Sequence, residues 1–218
     1  MKNQTVIASL LLIFLSSITL QQKIEFSKFN LKLIQIENNF LLSNDEIEKL
    51  LIKFYNKNLL FLNYKEVENQ LKKNTFIESF NVKKKYPDTL KIEIFEKKPI
   101  AILLNNKNRF YLSNKIDLIE YNDHLNYENL PYVFGSQKEF KIFYNNLKKI
   151  NFPFDLVKKY TLYQSNRWDL ETVNKKTIKL PSNNYLKSLD NFLNLNKKMD
   201  FRGYSVFDYR IENQLILK

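Results

Sequence analysis

The pattern of apolar and polar residues after the N-terminal segment predicts one strand followed by two helices. Residues 29–39 alternate apolar and polar positions, which predicts a β-strand. Residues 43–55 show helical spacing, and Ser43 followed by acidic residues is typical of a helix N-terminus. A second, shorter helix is predicted over 63–73. Its apolar face is expected to consist of Tyr64, Val67 and Leu71.

A β-hairpin is predicted next. Its strands are 76–86 and 89–98, and Pro87-Asp88 supplies the turn, because proline presets φ and Asp suits the following position. Alternation in the second strand is expected to turn Leu90, Ile92 and Ile94 to one face. The order β-α-α-β-β is an α+β unit with two helices on one face of a small sheet. We place a boundary near residue 98.

Beyond Pro99 the pattern changes to short strands, turns and two helices. The helices are predicted over 136–150 and 184–195, where aromatic and leucine residues recur at helical spacing. The last segment, 204–218, contains two short apolar runs around a turn at Glu212-Asn213-Gln214. The second half is therefore expected to be a sheet-rich region with two helices.

The N-terminal segment Val6–Leu20 is uncharged and follows a head of a few residues that contains Lys2. As a helix it would span roughly 22 Å, less than the ~30 Å hydrocarbon core of a bilayer. It is either a short membrane anchor or the apolar part of a cleaved signal peptide. Ser17 and Thr19 form a poor cleavage site, which favours the anchor. Both alternatives indicate export.

The charge of +12 does not indicate a nucleic-acid partner. Only four of the 35 basic residues are arginine, the side chain best suited to read bases and to bind phosphate in two-point contacts. The chain is rich in Lys, Asn, Ile, Phe and Tyr and poor in Gly and Ala. This composition is typical of an A/T-rich coding sequence. We expect no nucleic-acid binding. The absence of cysteine excludes disulfides, thiolate zinc sites and a cysteine nucleophile.

No set of residues predicts catalysis. His124 is the single histidine and lies in a polar run, and the acidic pairs Asp45-Glu46, Glu66/Glu68 and Glu93/Glu96 suit solvated faces. Trp168 is expected in a core or an interface rather than at a ligand site. Two glycines leave no phosphate-binding loop. We therefore expect no catalytic residue, no cofactor and no metal, and no enzymatic activity.

The hairpin "FIESFNVKKKYPDTLKIEIFEKKPIA" resembles the last hairpin of the POTRA domain in the bacterial division proteins FtsQ and DivIB. Three downstream stretches, "LPYVFG", "RWDLETVNKKTIKLP" and "VFDYRIENQLILK", resemble elements of the same family in the same order, and are most similar to its α-proteobacterial branch. Asn38 stands where the family usually has glycine in a strand-to-helix turn, and a glycine is also missing from "SNKIDLIE". The residues that match the hairpin pattern are Phe76, Ile77, Val82, Lys83, Pro87, Leu90, Ile92, Ile94, Glu96, Pro99 and Ala101.

The resemblance implies four regions: a cytoplasmic head (1–4), a transmembrane anchor (5–22), a POTRA domain (26–98) and an FtsQ-type mixed-sheet β domain with two helices (99–218). It further implies a single-pass inner-membrane protein at the division septum, with its C-terminal domain in the periplasm. Such a protein is a non-enzymatic scaffold of the divisome. The implied partners are FtsB and FtsL, through them FtsW and FtsI, and FtsK on the POTRA side.

Strand addition at the C-terminal edge is the interaction that the last residues suggest. An edge strand presents unpaired N–H and C=O groups to which an extended partner can add. Phe207 and Tyr209 are expected in the core. Three consecutive apolar residues cannot all face inward on one strand. The predicted partner-binding residues are Arg210, Ile211, Leu215, Ile216 and Leu217.

The sequence gives less support to two other classes of function. A POTRA-containing outer-membrane assembly or transport component would need a transmembrane barrel, and about 120 residues with two helices cannot supply its many ~10-residue strands. A secreted cell-wall hydrolase would need a metal or carboxylate site.

Overall fold

The structure is a computed structural model that describes residues 2–17, 26–105, 108–122, 127, 129–198, 203–212 and 214–218. Its first helix, α1, spans Lys2–Ser17. Among the described residues, no helix combines the length and the apolar character needed to cross a membrane. The remainder of the expected anchor, residues 18–22, and His124 lie outside the described residues.

Five helices and twelve strands make up the described fold, with three short 3₁₀ turns at Phe26–Phe29, Ile52–Phe54 and Phe154–Leu156. The other helices are α2 (Asn44–Leu51), α3 (Tyr64–Leu71), α4 (Gln137–Lys149) and α5 (Tyr185–Lys198). The strands are β1 (Leu33–Glu37), β2 (Ile77–Lys85), β3 (Thr89–Glu96), β4 (Pro99–Asn105), β5 (Asn108–Ser113), β6 (Leu118–Glu120), β7 (Tyr132–Phe134), β8 (Val157–Tyr163), β9 (Arg167–Thr172), β10 (Thr177–Lys179), β11 (Val206–Asp208) and β12 (Ile216–Leu217).

The first half forms the predicted β-α-α-β-β unit. Its sheet has the order β1-β3-β2, with β1 parallel and β2 antiparallel to the central strand. Leu90, Ile92 and Ile94 of β3 are completely buried and contact the buried faces of α2 and α3, as the alternation predicted. This apolar layer accounts for the two helices lying together on one face of the sheet.

Local polar chemistry fixes where α2 starts. The Ser43 hydroxyl accepts a hydrogen bond from the Glu46 N–H, and the Glu46 carboxylate accepts one from the Ser43 N–H, so the predicted N-terminus is a complete capping box. The helix ends earlier than predicted, at Leu51, and a 3₁₀ turn continues the chain to Phe54.

Two expectations about the first half were too broad, and the hairpin turn has a feature that was not predicted. The strand predicted over 29–39 is shortened to β1, because Asn30 pairs with Asn58 across the loop before α3 and the preceding residues form a 3₁₀ turn. Tyr64 does not belong to the buried face of α3. It is half exposed and contacts the ring of Phe80 on β2. In the hairpin turn, the Tyr86–Pro87 peptide bond is cis.

The second half builds a mixed nine-stranded sheet in the order β12-β11-β10-β9-β8-β7-β4-β5-β6. Parallel pairs join β4 to β7, β7 to β8 and β10 to β11, and the other neighbours are antiparallel. Helices α4 and α5 contribute buried aromatic residues to one core with the sheet, so the expected mixed-sheet region with two helices is present. Trp168 lies in this core, stacked on Phe143 at 4.8 Å between ring centroids.

The two sheets share part of one core. Ile102, Tyr111 and Ile119, from β4, β5 and β6 of the large sheet, are buried in the apolar cluster of the β-α-α-β-β unit. The ring of Tyr111 contacts Phe76 at 6.3 Å. One end of the large sheet is therefore packed against the first half of the chain.

The two positions where the sequence lacks an expected glycine both have left-handed backbone. Asn38 has φ 64°, a conformation that Asn tolerates well, and its amide donates to the Ile94 carbonyl at 2.8 Å. Ile116 has φ 61° although it is β-branched, which is costly. Its N–H donates to the Ser113 carbonyl, its own carbonyl accepts from Gln137, and its side chain is buried, so contacts across the fold hold the strained turn.

Candidate functional site

The C-terminal edge of the large sheet is built from β11 and β12. Phe207 in β11 is completely buried against Phe192 of α5, and Tyr209 is also buried, as predicted for both. The Tyr209 hydroxyl donates to the side chain of Asn191 at 3.1 Å. These contacts fix the last strand pair on the body of the sheet.

Among the described residues, strand β12 is paired on one side only. Val206 and Lys218 exchange two backbone hydrogen bonds of 2.8 and 3.1 Å, and Asp208 is paired with Ile216. Backbone groups alternate in direction along an antiparallel strand, so the N–H and C=O of Leu217 point away from β11. The outer side of β12 therefore offers backbone groups to an added strand.

The opposite edge of the sheet, β6, is covered. The Glu120 N–H donates to the Thr75 hydroxyl at 2.8 Å, and Ile119 is completely buried. Thr75 lies just before β2, so the first half of the chain blocks this edge.

The five predicted partner-binding residues divide into two groups at the C-terminal edge. Arg210 is exposed, and Ile211 and Ile216 are 52% and 37% exposed. Leu215 and Leu217 are half buried and contact the core of the large sheet. The turn between them contains a hydrogen bond from the Gln214 N–H to the Ile211 carbonyl, while Asn213 lies outside the described residues.

A groove of about 600 Å³ runs beside this edge. Arg210, Ile211 and Leu215 line one wall of the groove, whereas Ile216 and Leu217 do not. The facing wall comes from the start of α5 and the turn before it, with Ser182, Asn183, Asn184, Lys187, Ser188 and Asn191. Sequence reasoning missed this polar wall, because no pattern in 182–191 connects it to the residues of the facing wall, 209–215.

A row of alternating charge crosses the sheet next to the edge. Arg210 forms a two-point ion pair with Asp208, with contacts of 2.5 and 2.8 Å, and Arg167 contacts Asp169 at 3.2 Å. Lys179 lies opposite Asp169 and beside Asp208 in the strand register. The pairs hold Arg210 at the mouth of the groove.

The two carboxylates of this row differ in their electrostatics. Hydrogen bonding from the Arg210 side chain lowers the pKa of Asp208 below its usual value. Burial raises the pKa of Asp169, although Arg167 opposes that shift. Burial also raises the pKa of Tyr209 to about 12, so its hydroxyl stays protonated and remains a donor.

The acidic residues considered as candidate sites make structural contacts where the structure describes them. In the part of the chain that the structure describes, no group of three or more His, Cys, Asp or Glu residues could hold a metal ion. The Glu96 carboxylate instead accepts hydrogen bonds from the N–H groups of residues 40–42, and Glu93 accepts one from Asn81. These acids have local structural contacts.

Comparison with known proteins shows which proteins this chain resembles. The FtsQ-type POTRA domain matches residues 29–97. A cell division protein FtsQ of Rickettsia bellii is 29% identical over 197 residues, which cover 87% of this chain and 72% of the relative. FtsQ of Rickettsia typhi is 27% identical over 84% of this chain and 72% of its own length. Residues 29–97 are thus similar to the FtsQ-type POTRA domain, and most of the chain is similar to bacterial cell division proteins named FtsQ.

The resemblance seen in the sequence motifs is thus confirmed, including the similarity to α-proteobacterial members, since Rickettsia belongs to that branch. DivIB of Clostridium tetani is 26% identical over 51% of this chain and 42% of its own length. Among solved structures, the extracytoplasmic domain of DivIB from Geobacillus stearothermophilus matches 49% of this chain and 99% of its own, with a TM-score of 0.36 and 11% identity. The alternative of an assembly or transport component is not favoured by these FtsQ/DivIB relatives.

Proposed function

We propose that this chain is a member of the FtsQ/DivIB family and a non-enzymatic scaffold of the divisome that binds an extended segment of FtsB by strand addition to β12. The open outer side of β12 is the observation that carries the proposal. FtsB and FtsL are the partners that the family implies, with FtsW and FtsI recruited through them and FtsK as a contact of the POTRA side. In this proposal the site lies in the periplasm at the septum. The N-terminal segment holds the chain in the inner membrane.

The backbone supplies the affinity in this mode of binding. A segment laid along β12 would pair with the outward N–H and C=O of Leu217, and with those of Leu215 if pairing extends along the tail. The large sheet ends at this edge within the described residues, whereas β6 at the other edge is covered by Thr75. Strand addition is therefore directed to one edge.

Side chains supply the selectivity. Ile211 and Ile216 expose apolar surface on either side of the turn, where a partner's apolar residues could bury it. Arg210 is fixed by Asp208 at the groove. The charge row has one more cation than carboxylates, with Arg167, Lys179 and Arg210 against Asp169 and Asp208, and is therefore positive as a whole. The edge favours a segment with apolar residues and at least one carboxylate.

Co-purification with the extracytoplasmic segment of the same organism's FtsB tests the proposal. Full-length chain in detergent is compared with a chain that ends at Asn213, and circular dichroism verifies that both are folded. We expect capture by the full chain and its loss on truncation. Equal capture by both chains would place the binding surface elsewhere, and capture by neither would contradict FtsB as the partner.

Two matched substitutions distinguish a specific contact at the site from a general effect of lower surface hydrophobicity. Ile211→Ser changes a side chain that is 52% exposed at the proposed site, and Val173→Ser changes one that is 54% exposed in the turn after β9. We expect weaker capture only for Ile211→Ser. Equal capture by the two variants would remove Ile211 from the site.

A further inference from the structure

One end of the β-α-α-β-β unit exposes apolar and basic residues together. Three segments meet there: the 3₁₀ turn at Phe26–Phe29, the loop before α3 and the β2–β3 turn. The Asn58 amide donates to the Phe26 carbonyl at 2.9 Å, and Lys84 donates to the Leu60 carbonyl at 3.2 Å. Phe29 contacts Tyr86 edge-on at 6.1 Å. These contacts make the three segments one continuous surface.

We call this surface the proximal face and define it by Phe26, Leu60, Phe61 and Tyr86 with Lys28, Lys57 and Lys84. All four apolar or aromatic side chains are exposed, and Phe61 is 76% exposed. Neighbouring exposed aromatic residues are unusual on a surface that faces only water. The exposure therefore indicates a partner that takes apolar side chains.

The charge around the proximal face is positive. Among the described residues, two carboxylates form ion pairs beside it: Asp88, which is 3.9 Å from Lys32, and Glu66, which is 3.5 Å from Lys57. Lys28, Lys32, Lys57 and Lys84 outnumber them. Lysine beside Tyr and Phe is the combination found where proteins meet the headgroup layer of an anionic bilayer.

The topology places this face toward the N-terminal apolar segment. Strands β1 and β3 are parallel and both begin at this end, at Leu33 and Thr89, and the large sheet starts after their opposite ends. Only five residues separate Leu20, the last of the apolar segment, from Phe26. Five residues reach at most about 20 Å even when fully extended.

We propose that the proximal face lies on the surface of an anionic lipid bilayer, with Phe61 and its aromatic neighbours in the headgroup layer and the lysines against lipid phosphates. The inference rests on the membrane attachment in the proposed function. It adds a second contact with the membrane that fixes the orientation of the chain. The partner-binding edge at β12 belongs to the other half of the molecule and stays free.

Tryptophan quenching in vesicles tests this inference on the full chain. Phe61→Trp places a reporter on the proximal face. Phe40→Trp is the matched control, because Phe40 is 83% exposed and follows β1, at the opposite end of the small sheet. The unmodified chain gives the baseline of Trp168, which all three proteins contain. The vesicles contain brominated phosphatidylcholine, alone or mixed with phosphatidylglycerol.

We expect brominated lipid to quench Phe61→Trp at least about twofold more than Phe40→Trp, with a larger difference when phosphatidylglycerol is present and a smaller one at high salt. Equal quenching of the two variants would overturn the proposal, as would a difference that is independent of phosphatidylglycerol. Failure of the chain to float with the vesicles would overturn it together with the anchor. Capture of the FtsB segment, measured on the same variants, reports separately on the scaffold function.

Discussion

The large sheet ends in β6 on one side and in β12 on the other, and the two edges have opposite surroundings. At β6 the outward Glu120 N–H is bonded to Thr75, and Tyr111 and Ile119 extend the core of the first half. At β12 the N–H and C=O of Leu217 point away from β11, beside a groove and two exposed isoleucines. An edge strand is a liability unless it is covered or used. The first half of the chain covers one edge, and the other is the edge to which we propose that a partner adds.

The largest effect is expected from removing the ring that joins the covered edge to the first half. Tyr111→Ala deletes a buried aromatic side chain in contact with Phe76, Tyr121 and Tyr127. We expect a loss of about 3–5 kcal/mol in the free energy of unfolding, measured with denaturant. Tyr111→Phe, which keeps the ring, should lose much less. Capture of the FtsB segment by folded Tyr111→Phe should be unchanged, and its loss would tie this edge to partner binding.

A smaller effect, confined to binding, is expected at the open edge. Leu217→Pro removes an N–H that points away from β11, so the pairing of β11 with β12 is retained. Capture of the FtsB segment should weaken at least about tenfold, equivalent to about 1.4 kcal/mol. The free energy of unfolding should change by less than about 1 kcal/mol. Unchanged capture would show that this N–H makes no bond to the partner.

A substitution at the covered edge should lower stability and leave binding unchanged. Thr75→Val leaves the Glu120 N–H without its acceptor, and we expect a loss of about 1 kcal/mol in unfolding free energy. Capture of the FtsB segment should stay the same. Added self-association of this variant, measured by analytical ultracentrifugation, would show that an uncovered β6 edge pairs with other chains.

The smallest expected effect concerns the charge row beside the open edge. The Arg210 side chain lowers the pKa of Asp208, so the carboxylate stabilises the fold above its unfolded pKa of about 3.9 and loses this contribution as the pH falls through the lower folded value. Asp208→Asn should therefore cost up to about 1 kcal/mol at neutral pH. The difference in unfolding free energy between Asp208→Asn and the unmodified chain should disappear at acid pH.

Asp169→Asn is the comparison for that measurement. Burial raises the pKa of Asp169, so its ionised form is disfavoured in the folded chain and its contribution becomes less favourable as the pH rises above about 4. The pH dependence of this variant, relative to the unmodified chain, should have the opposite sign. The same sign for both variants would contradict the distinction between the two carboxylates.

Much of the local structure follows from the sequence. Ser43 and Glu46 specify the start of α2 through bonds between neighbours, and the alternation of Leu90, Ile92 and Ile94 specifies the buried face of β3. The motif order in the second half also indicated the resemblance to FtsQ and DivIB proteins. Each of these signals acts over a few residues or is repeated along the chain, which is why it can be read without a structure.

The candidate site could be predicted only in part. The sequence pointed to the C-terminal tail, and Phe207 and Tyr209 are in the core as expected. It did not show the groove wall in 182–191, since those polar residues have no periodicity and meet the tail only in the folded chain. The charge row was missed for the same reason, because strand register brings Lys179 between Asp169 and Asp208.

The sequence by itself determined the helices, the hairpin, the alternating faces and the tail that carries the predicted partner-binding residues. Tertiary structure decided which strands are edges, that Thr75 covers one of them, and that a strained left-handed Ile116 is tolerated. The physical reason is the distance along the chain between the residues that make each contact. Caps and periodicity depend on residues within one or two turns, whereas an edge is open or covered according to contacts between segments that are far apart in the chain.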